Sequence, residues 1–278
     1  MGGALKNLPA IHPELATDIL VRFLREESEK FGFARGVLGL SGGIDSAVSC
    51  ALAARAFGPD NVLSVIMPYR TSAPESRAHA LECVETFGCR VREIDISPMA
   101  DPYLADMPDD DRVRRGNVMA RLRMTVLYDL SAPENALVIG TSNKTELLLG
   151  YSTLHGDSAS ALNPLGDLFK TQVRQLAEYL EVPASVRDKA PSADLWEGQT
   201  DEQELGFTYA EVDALLHLQV DRRLTDEELA GRGFDPAFTE RVRSMVARNR
   251  YKRRPPIIAK LSNRTVNVDF RYLRDWRH

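Results

Sequence analysis

Cysteine is scarce in this chain: Cys50, Cys83 and Cys89 are the three in 278 residues. They form neither a CxxC pair nor a metal-ligand spacing, so they read as reduced structural thiols of a cytoplasmic protein. Long apolar runs are missing as well, and none reaches the roughly 18 residues that a membrane helix needs. Residues 1–13 lack a basic segment followed by an apolar stretch, so no secretory signal is expected. Positive charge is not in excess. Lys and Arg number 35 against 40 Asp and Glu, a net charge of -5, which argues against a dedicated nucleic-acid binder. The chain also has no internal repeat and no low-complexity tract.

What is there is the composition of a globular protein, 44% hydrophobic and 27% charged, in a chain long enough to bury a sizeable core. Branched apolar segments alternate with helical patterns, which predicts an α/β fold: a doubly wound parallel sheet with helices on both faces and a C-terminal helical extension. Strands are expected at 36–40, 62–67, 90–96 and 136–140, and helices at 13–31, 46–57, 75–87, 111–130 and 167–180, with Gly58 and Gly88 as C-caps. Two long polar stretches, 151–166 and 190–206, have the length of functional loops. Thr208 with Glu211, and Thr225 with Glu228, have capping-box spacing, and Asp235-Pro236 opens a further helix. One domain is expected, with a core at about 15–190 and a lid loop plus helical part at about 190–278.

The most informative segment runs from Gly39 through Leu40, Ser41, Gly42, Gly43, Ile44 and Asp45 to Ser46, between the first strand and its helix. Paired glycines let a backbone approach a ligand closely and take up positive φ, and the helix start behind them is a natural anion site. The hydroxyls of Ser41 and Ser46 add donors, and Asp45 adds a carboxylate suited to magnesium. The rival phosphate loop requires a lysine that is absent here, and the GxGxxG dinucleotide fingerprint does not fit.

SGGxDS after a strand resembles the pyrophosphate loop of the N-type ATP pyrophosphatases, and from about residue 15 to 258 the chain resembles the ammonia-dependent NAD synthetases. The segment Gly140-Thr141-Ser142-Asn143-Lys144-Thr145-Glu146 is similar to that family's second ATP segment. The resemblance implies an ATP contact at Thr141 and a second magnesium ligand, beside Asp45, at Glu146. It also implies ATP contacts at Lys170, within Gly166-Asp167-Leu168-Phe169-Lys170-Thr171, and at Ser192, at the start of a lid over 191–206. A lysine in a first helical turn opposes the helix dipole, which independently suggests an anionic partner for Lys170.

For the acid, the resemblance implies contacts from Asn117 and Arg121 on one helix and from Tyr251 and Lys252 near the C-terminus. The chain departs from the family pattern at Leu154, Ala161 and Tyr251, where lysine, aspartate and histidine are usual; all three departures fall in the acid pocket. The implied reaction adenylates deamido-NAD with Mg-ATP and amidates it with ammonia, with Lys170 stabilising phosphate charge and Asp157 as candidate base. Homodimers are implied too, and apolar residues Val113, Met119, Leu122 and Val126 on the 111–130 helix could serve either an interface or the core. No cysteine sits on a nucleophile elbow, so ammonia and not glutamine is the expected nitrogen source. Two rivals remain open: a tRNA-modifying enzyme of the same loop group, and a non-catalytic adenine-nucleotide binding module. The basic cluster at Arg248, Arg250, Lys252, Arg253 and Arg254 reads as a local anion clamp or a solvated helix end.

Overall fold

Alternation along short apolar strands explains the layering. In β1 (Gly36–Gly39) Val37 faces one side of the sheet and Leu38 the other; in β2 (Val62–Ile66) Leu63 and Val65 oppose Val62 and Ile66. Both faces are therefore apolar, as a buried parallel sheet requires. The computed structural model describes residues 8–192, 200–266 and 269. Its sheet is parallel throughout, in the order β3-β2-β1-β4, with β3 at Arg90–Glu93 and β4 at Leu137–Val138. A single parallel bridge, Ile139 to Leu162, continues it past β4.

One face is covered by α1 (Pro13–Glu29), α2 (Ile44–Phe57) and α3 (Pro74–Phe87), joined later by α7 (Lys170–Tyr179) and α8 (Ala184–Arg187). Small residues such as Ala47, Ala51 and Ala53 allow α2 to lie buried between sheet and helices. The other face is covered by α4 (Ser97–Leu104) and α5 (Arg112–Glu134). A third apolar cluster joins α6 (Lys144–Leu149) to α9 (Asp201–Leu205), α10 (Tyr209–Leu216), α11 (Asp226–Gly231) and α12 (Pro236–Arg248). Doubly wound architecture and the C-terminal helices are thus as the alternation predicts.

Most caps also match. Gly58 and Gly88 end α2 and α3 at positive φ, both capping boxes form, and the Asp235 side chain accepts from the Ala237 N–H. The strands are shorter than expected. Past Glu93 the Ile94 and Ile96 N–H groups still donate to the Ile66 and Pro68 carbonyls, and the Asp95 carboxylate then accepts from the Ser97 N–H at 2.8 Å where α4 begins, a helix the pattern did not suggest. β3 itself is exposed at every residue; its arginines are paired or charged, which suits an edge strand. On α5, Met119 and Val126 are buried and Leu122 packs against the same cluster, leaving Val113 exposed. The core claims that stripe. Among the described residues no helix is long and apolar enough to cross a membrane. All three cysteines are free and buried, and desolvation pushes the Cys83 thiol up to about 12.

Candidate active site

Strand order reverses at β1: β2 and β3 lie to one side, β4 to the other. In open α/β sheets the crevice beyond the carboxyl ends at such a switch point is where ligands bind. The loops after β1 and β4 both emerge there, and a cavity of about 350 Å³ lies between them.

The first loop is held by its own hydroxyls. Ser46 Oγ donates to the Gly43 carbonyl at 2.9 Å and accepts from the Ser41 N–H at 3.2 Å, while Ser41 Oγ accepts from the Gly43 N–H. Gly42 sits at φ +77°, and a Cβ there would lie 2.1 Å from the Ser76 carbonyl oxygen on α3, so only glycine fits. Gly43 caps α2 without a side-chain bond, leaving the helix start open to an anion. In the second loop the Asn143 side chain accepts from the Glu146 N–H while Glu146 Oε2 accepts from the Asn143 N–H. That capping box fixes Glu146 at the head of α6.

Three charged side chains converge where the loops meet. Lys170 Nζ donates to Asp45 Oδ2 and, at 3.2 Å, to Glu146 Oε1. Asn143 Nδ2 holds the other Asp45 oxygen at 2.9 Å. The lysine side chain is 3% exposed and each carboxylate 16%. Burial pushes the Glu146 carboxyl up to about 8, Lys170 pulling against the shift and Asp45 adding to it. Burial works against the charge on Lys170, but Asp45 and Glu146 outweigh it and hold the ammonium above its usual value. Breaking a buried pair of this kind leaves an uncompensated charge in a poorly solvated site.

Of the sequence-predicted nucleotide residues, Gly39, Leu40, Ser41, Gly43, Asp45, Ser46, Thr141, Lys170 and Ser192 line the cavity, as does Glu146. Gly42 and Ile44 are not among the lining residues; Gly42 packs against Ser76, and the Ile44 side chain joins the core. The 191–206 lid includes 193–199, which lie outside the described residues.

The predicted acid-binding residues meet around a different feature, the loop at 150–158. Asn117 Oδ1 accepts from Thr153 Oγ1 at 2.7 Å, Arg121 Nε donates to the Leu154 carbonyl at 3.2 Å, and Lys252 Nζ donates to the carbonyls of Gly150 and Ser152. Tyr251 beside them is 58% exposed. Arg253 donates to the Leu147 and Leu148 carbonyls. Two members of the basic cluster thus cap the carbonyl end of α6, where cations are favourable. Asp157 lines the cavity from that loop and accepts from the Thr153 N–H at 2.6 Å. Burial raises its carboxyl above the usual range, against backbone N–H donors and the nearby Lys252.

Sequence reasoning missed three supporting groups. Asn143 stands three residues before Glu146, a capping-box signal. Asp201 lines the cavity and accepts from the hydroxyls of Tyr151 and Tyr209. Asp213 interrupts the apolar run from Val212 to Leu216 of α10, a pattern that signals a buried polar partner.

Sheet, loops and cavity define an α/β protein that presents two carboxylates and a lysine beside a glycine turn at the sheet's switch point. A family model for NAD synthase matches residues 16–256. The NH(3)-dependent NAD(+) synthetase of Chlorobaculum tepidum is 57% identical over 263 residues, 95% of each chain. A solved structure from Francisella tularensis, described as an NMN synthetase, matches with a TM-score of 0.79 at 35% identity over 90% of this chain and 100% of that one. The NH3-dependent NAD synthetase from Campylobacter jejuni, in complex with the nitrate ion, matches at 0.77 and 33% over the same shares. The chain belongs to the NAD synthase family.

Proposed function

We propose that the protein is an ammonia-dependent ligase that uses ATP to convert deamido-NAD to NAD, releasing AMP and pyrophosphate. The observation that carries the reading is the convergence of Asp45, Glu146 and Lys170 beside the Gly42–Gly43 turn, in a chain of this family. A carboxylate does not react with ammonia directly, because oxide is a poor leaving group. One carboxylate oxygen of the acid attacks the α-phosphorus of ATP, the bond to the β-phosphate oxygen breaks, and pyrophosphate leaves with the electron pair. Ammonia then attacks the acyl carbon of the adenylate, the acyl carbon–oxygen bond breaks, AMP departs, and the nitrogen loses a proton.

Lys170 supplies fixed positive charge where phosphate charge develops, and the open α2 start faces the same region. Magnesium is the implied cofactor, and the residues fit it: two carboxylates already aim at one buried cationic point. Asp45 and Glu146 would hold the ion, with phosphate and water completing its oxygen shell. Its chemistry is to neutralise phosphate charge and steady the departing pyrophosphate. Asp157, buried with a raised carboxyl, is suited to take the proton from ammonium. Asn117, Arg121 and Lys252 shape the acid pocket through the 150–158 loop, and Tyr251 is the further proposed contact to the acid. Ser192, which also lines the cavity, is the further proposed nucleotide contact.

The proposed setting is cytoplasmic, where three free thiols persist. The proposed partner is a second copy of the chain, which light scattering at micromolar concentration reads directly. The activity is tested by offering deamido-NAD and nicotinic acid mononucleotide separately, with Mg-ATP and either ammonium or glutamine. NAD formed from deamido-NAD and ammonium alone supports the reading. Product from the mononucleotide alone keeps the chemistry and replaces the acid, and no AMP with either acid discards both.

A further inference from the structure

Lys170 and Glu146 stand at the first turns of α7 and α6, and the local caps at Asn143 and Gln172 fix each start without setting the one against the other. A third element reaches both. Asp213, on α10, is completely buried among Val212, Ala214, Leu215 and Leu216 and does not line the cavity. Its Oδ1 accepts from Thr145 Oγ1 at 2.5 Å; its Oδ2 accepts from both the N–H and the Oγ1 of Thr171 at 2.8 Å. Thr145 Oγ1 in turn accepts from the Lys170 N–H at 3.0 Å. One carboxylate thus binds the residue before Glu146, the residue after Lys170, and through Thr145 the Lys170 backbone itself. A negative charge at the start of α7 is also favoured by the helix dipole.

We propose that Asp213 is a positioning residue: it fixes the spacing of the α6 and α7 starts, and so sets where the Lys170 ammonium and the Glu146 carboxylate stand for the phosphate chemistry. The apolar neighbours of Asp213 already hold α10 in place, so a buried charge is unnecessary for packing alone; three donors from two other helices account for it. An amide at this position keeps one acceptor; with that oxygen on Thr171, its NH2 faces Thr145 and can only donate to Oγ1, so the Thr145 hydroxyl loses its acceptor. Asp213→Asn therefore weakens the tie between α6 and α7 while keeping volume, leaving Lys170 N–H to Thr145 Oγ1 and Lys144 N–H to the Leu168 carbonyl to hold the two starts together. The inference rests on the reading of Lys170 and Glu146 given above.

The test uses the full chain with three substitutions: Asp213→Asn, Thr171→Val, and Val212→Ala as a packing control on the same helix. The readouts are Tm, kcat, KM for ATP, and the rise in Tm on adding magnesium without nucleotide. Asp213→Asn is expected to lower kcat about ten- to a hundredfold with KM for ATP within about threefold, because misplacement by a fraction of an ångström acts mainly on the reacting geometry. The magnesium-induced rise in Tm is expected to shrink. Val212→Ala is expected to lower Tm comparably with kcat near wild type. Equal kcat losses in Asp213→Asn and Val212→Ala, or wild-type kcat in Asp213→Asn, would overturn the proposal. Should Asp213→Asn not fold, Thr171→Val decides by the same criteria with a smaller loss. Should the wild type make no AMP, the functional reading fails separately, and the magnesium-induced Tm rise still decides the positioning role.

Discussion

Replacing Lys170 with methionine removes the buried cation and keeps most of its stem. Asp45 then retains Asn143 Nδ2, and Glu146 retains the Asn143 N–H; neither keeps a countercharge within the triad. Breaking a buried ion pair costs about 3–5 kcal/mol when the remaining charge stays ionised. Here the cost depends on pH, because Glu146 can take up a proton. Its carboxyl lies at about 8 in the folded protein, above its value of about 4.3 in an unfolded chain. A group raised in this way contributes stability fully below the unfolded value and loses it as pH rises through the folded one. Without Lys170 the carboxyl rises further. The loss is therefore expected to be smaller at pH 6.5, where a protonated Glu146 needs no countercharge, than at pH 9, where it is ionised. Urea unfolding of both proteins without metal, at the two pH values, measures this. Turnover is expected to fall about 10²- to 10³-fold, as for loss of one preorganised electrostatic donor. A Lys170→Met protein within about 0.5 kcal/mol of wild type at pH 9, or one that turns over normally, would refute the reasoning.

Two further outcomes follow from the same geometry. Asp45→Asn and Glu146→Gln are each expected to fold, to cut turnover at least about a hundredfold, and to abolish the magnesium-induced rise in Tm; normal turnover at saturating magnesium removes that residue from the site. Gly42→Ala places a methyl against the Ser76 carbonyl at positive φ, and is expected to cost about 1–3 kcal/mol and to raise KM for ATP, read by thermal melts and initial rates.

Much of the fold was legible because it depends on local pattern. Strand alternation, the Gly58 and Gly88 caps and the boxes at Thr208 and Thr225 are read within a few residues, and each is found in place. The helix after β3 was not, because its start rests on one side chain, Asp95, accepting from the Ser97 N–H. At the site, an anionic partner for Lys170 followed from its place in a first helical turn. The partners found are the protein's own Asp45 and Glu146, 125 and 24 residues away, separations at which a single sequence carries no pairing signal. Asp213 hid for the same reason, with its partners 68 and 42 residues distant. Arg121 and Lys252, which the resemblance places at the acid, also hold carbonyls of the 150–158 loop through Arg121 Nε and Lys252 Nζ. A cation's type and place in sequence do not fix which acceptor it finds.

The central claim, that the acid is activated by adenylyl transfer from ATP, is tested most directly with deamido-NAD carrying ¹⁸O at both carboxylate oxygens. With Mg-ATP and ammonium, the account predicts one ¹⁸O in each AMP formed and none in pyrophosphate, because the attacking oxygen stays on phosphorus when ammonia displaces the acyl group. ¹⁸O in inorganic phosphate, with ADP as the nucleotide product, would contradict it.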